Sequence, residues 1–517
     1  LTYPGAHPRE KVAIIHADSG RELLFGDLDD RSDALARYLR DAGLTAGDTV
    51  AFLSENTIEI FEVFWAAQRS GLYVTGINHH LTAGEIAFIL GDSGAKILIS
   101  SSTKADLARA AREVTPGVEH LLAWGTDIPS DLESYEDALA LGADASPLDS
   151  QPSGATMLYS SGTTGRPKGI RPPLPTRTVD EPGETVAGMA SSLYGFAADT
   201  VYYSPAPAYH AAPLRWVGAA TALGGTAVIR TRFDAEQTLR DIETYRITAG
   251  QFVPTMFIRM LKLPDDVRSR YDTSSIRTAI HAAAACPVEV KNRMLDWWGD
   301  VVYEYYSSTE MNGITAISPQ VWREHAGSVG QAIVGVIHVC DDDGRELAAG
   351  ETGVVFFERD HLPFEYHHDP AKTAAAQHPA HPLWTTTGDV GRVDEQGYLF
   401  LTDRKAFTII SGGVNIYPQE IENALALHPA VLDAAVIGLP DDEWGECVTA
   451  VIQPAAGAEP GSALADEITE FLRGTLARFK VPRQVLFTQD MPRTPTGKLV
   501  KADLVRRYTV EAARSAV

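Results

Sequence analysis

Between residues 48 and 101 the chain alternates short β-prone runs with helical ones, and no other feature constrains the fold as much. Residues 48–54 read as a strand. Asn56 then looks like a helix N-cap, with Glu59 three residues on and Ile58, Phe61, Phe64 and Trp65 at helical spacing. Residues 73–78 are apolar and β-prone, 81–90 helical, and 96–101 a strand again. Such repeats build βαβ units and a mostly parallel sheet, and the pattern returns at 201–204, 226–230 and 247–253. From about residue 353 the strands crowd together, with Asp-Asp-Asp-Gly (341–344) and Asp-Glu-Gln-Gly (394–397) as turn signals. After Arg404 a smaller α+β unit is expected, with helices at 421–428 and 464–477 and strands at 431–439 and 447–453.

A length of 517 residues predicts two or more packed domains. The balance of 68 acidic against 44 basic residues, a net charge of −24, is the wrong sign for nucleic acid or an anionic membrane surface. No apolar run approaches the roughly 18 residues of a membrane span, and the first residues show no signal-peptide pattern. Cys286, Cys340 and Cys447 lie far apart and form no CxxC, so a reducing cytoplasm is the expected setting.

The chemistry is signalled first by residues 159–169, Tyr-Ser-Ser-Gly-Thr-Thr-Gly-Arg-Pro-Lys-Gly. Glycines let backbone approach a phosphate closely and turn its N–H groups inward. Ser160, Ser161, Thr163 and Thr164 add hydroxyl donors around Gly162 and Gly165, and Lys168 adds a point charge. The spacing is not that of the Walker loop, which wants four residues between Gly and Gly-Lys-Ser/Thr. Further on, Tyr305-Tyr306-Ser307-Ser308-Thr309-Glu310 follows an expected strand, where a carboxylate can hold Mg2+ beside a polyphosphate. Thr387-Gly388-Asp389 puts a carboxylate on a tight turn suited to a ribose diol. Asp403-Arg404 precedes a run containing Ser411-Gly412-Gly413, and Pro492 to Lys498 ends a rigid loop on a lysine.

These five motifs, in this order, resemble those of the adenylate-forming superfamily, which holds acyl-CoA synthetases, peptide-synthetase adenylation domains and firefly luciferases. The resemblance runs from about residue 10 to 505 and is strongest to bacterial acyl-CoA synthetases. It implies an α/β fold with a large N-terminal domain (1–403) of mixed, mostly parallel sheets plus a β-barrel-like subdomain. A small mobile α+β lid domain (404–517) would follow. The implied substrates are a carboxylic acid, ATP and coenzyme A, with Mg2+ as metal and a homodimer as a common assembly. Carried over by position, 160–168 would cradle the β- and γ-phosphates. Thr309 and Glu310 would touch the α-phosphate and Mg2+, with Ser308 beside the nucleotide, and Asp389 and Arg404 would hold the ribose. Lys498 would bridge carboxylate and α-phosphate, His210 would sit at the acyl pocket, and Gly412 and Gly413 would let pantetheine pass. Tyr209, Ala282, Ala283, Ala284, Tyr306 and Met311 would line the substrate side. Phe479 and Arg483 correspond loosely to contacts with the CoA nucleotide.

The chain departs from the family pattern in three places. Ala406 stands at a hinge position that is commonly Asp or Lys, and Ser308 and Met311 flank Thr309-Glu310 where glycine is usual. The run Ala282 to Ala285 also lacks the usual proline, which suggests a roomy pocket for bulky acids. A weakened ATP half-reaction, with thioester formation from a supplied acyl-AMP, is the sharper alternative. Loading of a carrier protein is another, although no Asp stands near Tyr209 or His210 to hold an amino-acid ammonium. The histidines at 361, 367, 368, 378 and 381 match no zinc spacing, and His79 and His80 are expected at the surface.

Overall fold

The structure, a computed structural model, describes residues 3–160, 167–183, 185–441, 443–493 and 499–515. Among the described residues the largest sheet has nine strands. Their spatial order is Gln331–Val334, Ile314–Ile317, Val302–Ser307, Thr278–His281, Ala249–Phe252, Val201–Ser204, Thr226–Ile229, Val12–His16 and Arg21–Leu24. The inner strands from Val302–Ser307 to Val12–His16 run parallel, and antiparallel strands close both edges. A second sheet of six described strands, all parallel, is centred on Thr49–Leu53 and Ala95–Ser101. Thr49–Leu53 and Tyr73–Ile77 are buried at every residue, as expected of parallel strands covered on both faces.

The expected barrel-like subdomain is a five-stranded antiparallel sheet built from Val336–Cys340, Gly353–Glu358, Trp384–Thr385, Asp389–Val393 and Leu399–Arg404. A single 3-10 turn, Lys405–Phe407, with Ala406 exposed in it, then leads into the C-terminal sheet. That sheet pairs the long strands Val431–Asp441 and Gly445–Pro454 and packs on the helices Pro418–Leu425 and Ser462–Thr475.

The expected strands fall within a few residues of the observed ones, because each is a β-prone run bounded by turn residues. Asn56 is a correction. The helix begins at Glu59, with Ile58 at the N-cap position and no side-chain cap bond. The Asn56 amide is buried and instead donates to the carbonyls of Ala206 (2.8 Å) and Arg230 (2.9 Å), while its oxygen accepts from the Ala208 N–H (2.7 Å). Three bonds across two sheets outweigh the single one a cap provides. The next helix, Ala83–Ser93, carries a complete capping box between Thr82 and Glu85.

Candidate active site

In the nine-stranded sheet, the parallel strands Val201–Ser204, Thr278–His281 and Val302–Ser307 end on one edge. The segments that leave those ends carry Tyr209 and His210, Ala282 to Ala284, and Ser308 to Met311 respectively, with Tyr306 near the end of the third strand. Ligands of open parallel sheets bind outside the carboxyl ends of the strands, so topology alone gathers three of the expected segments at one edge.

A separate three-stranded sheet presents the phosphate-loop lysine. Leu158–Ser160 pairs antiparallel with Lys168–Arg171, with Ser160 opposite Lys168, and Glu365–Tyr366 pairs on the other side, with Tyr366 opposite Ile170. Ser161, Gly162, Thr163, Thr164 and Gly165 lie outside the described residues, as do the side chain of Ser160 and the whole of Lys498. The Lys168 ammonium stands 5.5 Å from the centre of the Tyr366 ring, and the Lys372 ammonium 6.0 Å from the same centre. The Tyr366 hydroxyl donates to Glu310 Oε1 (2.9 Å), so lysine, ring and carboxylate form one assembly. Burial, and then the neighbouring Lys372, pull Lys168 down to about 8 against the opposing pull of Glu310 and Asp369.

Asp389 is the second anchor. Its Oδ2 accepts from Tyr306 Oη (2.7 Å) and Thr387 Oγ1 (2.8 Å), and Arg404 Nε donates to Oδ1 (3.1 Å) across a paired register. Burial, and then this carboxylate, push the Tyr306 hydroxyl well above its usual value. Lys168, Tyr366, Lys372, Thr387 and Gly388 all line one open groove of about 430 Å3. The lysine of the phosphate loop, the Glu310 loop and the Thr-Gly-Asp turn therefore meet on one side of the molecule.

The loop that carries Thr309 and Glu310 is tied to itself. Ser308 Oγ donates to Asn312 Oδ1 (2.9 Å), Ser307 Oγ to the Gly313 carbonyl (2.9 Å), and Arg359 Nη1 to the Met311 carbonyl (3.1 Å). A Cβ on Gly313 would sit 1.9 Å from the Phe357 ring, so only glycine fits there. Met311 packs its side chain against the main core and holds φ at 53°. Ala283 is similar at φ 73°, so two residues with side chains occupy the left-handed region where glycine is favoured. Ala282 is buried, whereas Ala283 and Ala284 are exposed.

Beneath these two segments lies a buried cluster that no sequence motif signals. Lys291, fully buried, donates to Glu304 Oε2 at 2.6 Å, and His281 Nε2 lies 3.3 Å from the same oxygen. Burial alone pushes Glu304 up, but His281 and Lys291 together outweigh it and hold the carboxyl at about 2. The pair ties helix Val288–Trp298 to strand Val302–Ser307.

His79 is also corrected. It is half-buried rather than on the surface, with Nδ1 donating to the Ser54 carbonyl (3.0 Å). Burial, and then His80, lower it to about 4, so it is neutral at pH 7. Its ring lies 5.6 Å from that of Tyr209, which lies 4.8 Å from that of His210. A Cβ on Gly76 would come within 2.9 Å of the Tyr209 Cα, so the bare strand lets this segment dock closely.

In the C-terminal unit Gly412 (φ 60°) and Gly413 (φ 77°) form the two-residue turn between Ile409–Ser411 and Val414–Ile416. A mirror-type turn needs positive φ at both positions, which explains two consecutive glycines. Gly412 backs onto Trp444, whose ring is covered by the Arg483 guanidinium at 3.7 Å, while Phe479 is exposed. Arg493 and Leu499, which flank the Lys498 segment, pair as an antiparallel bridge. Tyr366, Lys372 and His79 are further site neighbours that no motif announced. Only the Asp-Pro start of the helix Pro370–Ala375 hinted at the element that presents Lys372.

Comparison with known proteins identifies the family. Residues 3–366 match the AMP-binding enzyme family, and residues 420–498 match the AMP-binding enzyme C-terminal domain. The fatty acid–[acyl-carrier-protein] ligase ScoC of Streptomyces coeruleorubidus is 31% identical, over 96% of this chain and 93% of that protein. The feruloyl-CoA synthase of an Amycolatopsis species is 33% identical, over 96% of both chains. Among solved structures, the anthranilate CoA ligase AuaEII in complex with anthranoyl-AMP superposes with a TM-score of 0.84. It shares 25% identity, over 98% of this chain and 95% of that one. On motif order, fold and these matches together, the chain belongs to the AMP-binding enzyme family.

Proposed function

We propose that this protein is an AMP-forming acid–thiol ligase, converting a carboxylic acid, ATP and CoA into acyl-CoA, AMP and pyrophosphate. The observation that carries this reading is that one groove is lined by Lys168, by Tyr366, whose hydroxyl donates to Glu310, and by Thr387 and Gly388, next to Asp389, which accepts from Tyr306. A carboxylate attacking an α-phosphorus brings two anions together, so fixed cations must offset the repulsion. Lys168 supplies one at the phosphate end, and Asp389 with Arg404 supplies hydrogen-bonding groups at the ribose end. Glu310, a hard oxygen ligand beside that groove, fits Mg2+, which would neutralise phosphate charge when bound. Thr309, and Ser308 beside it, sit on the same loop as Glu310.

Lys498 takes the role of the adenylating lysine. The segment 404–517 acts as a lid that exchanges Lys498 for the Gly412–Gly413 turn before CoA attacks. The acyl group lies between the Tyr209–His210 segment and Ala282 to Ala284, with His79 behind Tyr209. Relatives that take fatty acids and feruloyl groups support a bulky or long-chain acid. ScoC, whose acceptor is an acyl carrier protein, keeps carrier loading as the second reading.

The test is pyrophosphate release across a panel of acids, run beside CoA consumption from supplied acyl-AMP. Lys498→Ala is expected to cut adenylation by about 100-fold or more while largely sparing thioester formation. Equal loss in both half-reactions would contradict the assigned role. Thioester formation without pyrophosphate release from any acid would point to an enzyme confined to the second step.

A further inference from the structure

The groove holds a cation that none of the assignments above uses. Lys372, on the short helix Pro370–Ala375, places its ammonium against the same Tyr366 ring as Lys168, within reach of the Lys168 ammonium. Two ammonium groups beside one ring repel each other, and neither makes an ion pair with a carboxylate among the described residues. The nearest acids are already engaged. Glu310 accepts from the Tyr366 hydroxyl, and Asp369 caps the helix by accepting from the Lys372 backbone N–H (2.9 Å).

The arrangement is held rigidly. Thr373 Oγ1 accepts from the Tyr366 N–H (2.9 Å) and donates to the Asp369 carbonyl (3.0 Å), so the helix that carries Lys372 is fastened to the strand that carries the ring. A like-charge pair held in this way is relieved near neutral pH by an anion that spans both groups, and at higher pH by loss of a proton from Lys168. Aspartates 341 to 343 line the same groove, where Lys405 pairs with Asp342 (2.6 Å), so the cations left to attract an anion are the two lysines at Tyr366.

We propose that Lys372 is a second binding cation for the polyphosphate, and that Lys168 and Lys372 together grip the pyrophosphate portion of ATP as it leaves. The site takes inorganic pyrophosphate or the β,γ-diphosphate of a nucleotide. This rests on the ligase reading above but goes beyond it, since that reading needs only Lys168. The expected consequence is selective: Lys372 serves the phosphates that depart and not the AMP that stays.

The experiment measures binding of inorganic pyrophosphate and of AMP, each with Mg2+, to the full chain by calorimetry. Lys372→Met, which keeps an apolar stem over Tyr366, should weaken pyrophosphate roughly 10- to 100-fold and leave AMP unchanged. Lys372→Arg should recover most of the pyrophosphate affinity, and thermal melting of both variants should match the wild type. Unchanged pyrophosphate affinity in Lys372→Met, or a parallel loss for AMP, would overturn the proposal. Wild-type protein that binds AMP but not pyrophosphate would overturn it while leaving nucleotide binding intact. Wild-type protein that binds neither would remove the ligase reading and this inference together.

Discussion

Replacing Lys291 by methionine should destabilise the nine-stranded sheet by about 3–5 kcal/mol at pH 7, the cost of leaving a buried carboxylate without its partner. The magnitude follows from the geometry. Lys291 is 0% exposed and Glu304 5%, and 2.6 Å separates their charged atoms. Methionine approximates the lysine stem in volume, so packing changes little and the loss is electrostatic. His281 compensates only in part: its Nε2 lies 3.3 Å from the same oxygen, but burial lowers its own affinity for a proton. The sign with pH can be worked out. In the wild type Glu304 is held at about 2, below its unfolded value, so its contribution is present above roughly pH 4 and lost as pH falls toward 2. In the variant the carboxyl is raised instead, so the deficit is full at pH 7 and shrinks as the medium is acidified toward pH 5. Urea unfolding followed by tryptophan fluorescence reads this directly, since the Lys291 ammonium lies 4.6 Å from the centre of the Trp322 ring. Lys291→Met with Glu304→Leu should recover most of the loss. A single variant less than about 1 kcal/mol below wild type, or a double variant no better than the single, would refute the reasoning.

Two further outcomes follow from the site. Burial and the nearby Lys372 lower Lys168 to about 8, so affinity for ATP should fall as pH rises through 8 to 9. In Lys372→Met that inflection should move upward, and a pH-independent affinity between 7 and 9 in the wild type would contradict the assignment. Ala283→Gly and Met311→Gly each release a side chain from left-handed backbone, but they should differ. Ala283, exposed, should gain about 1 kcal/mol in chemical denaturation, whereas Met311 should gain less because it gives up packing against the core. A loss of stability in Ala283→Gly would show that the strain has no energetic weight there.

Much of the fold was legible in the chain itself. Val201–Ser204 matches its expected bounds to the residue, and the strands Thr49–Leu53, Thr226–Ile229 and Gly445–Pro454 match theirs to within a few. Each is a run of β-branched or aromatic residues between turn formers, a property of neighbours in sequence. The glycines at 412 and 413 signal backbone clearance in the sequence, and in the structure the hairpin turn requires them as well. Asn56 failed because the local signal for a cap was real but weaker than three bonds to residues 150 or more positions away. His79 failed because nothing near it in sequence indicates that Tyr209 will cover it.

By itself the sequence determined the order of motifs, the alternation that builds parallel sheets and the residue types able to hold a nucleotide. Those follow from local backbone preference and from side-chain chemistry, which do not depend on distant partners. Only the tertiary structure decided which groups act together: Tyr366 with Glu310 across 56 residues, Tyr306 with Asp389 across 83, and Lys372 beside Lys168. The strength of such contacts depends on burial and on distances below about 4 Å, and these come into being only when separate sheets pack.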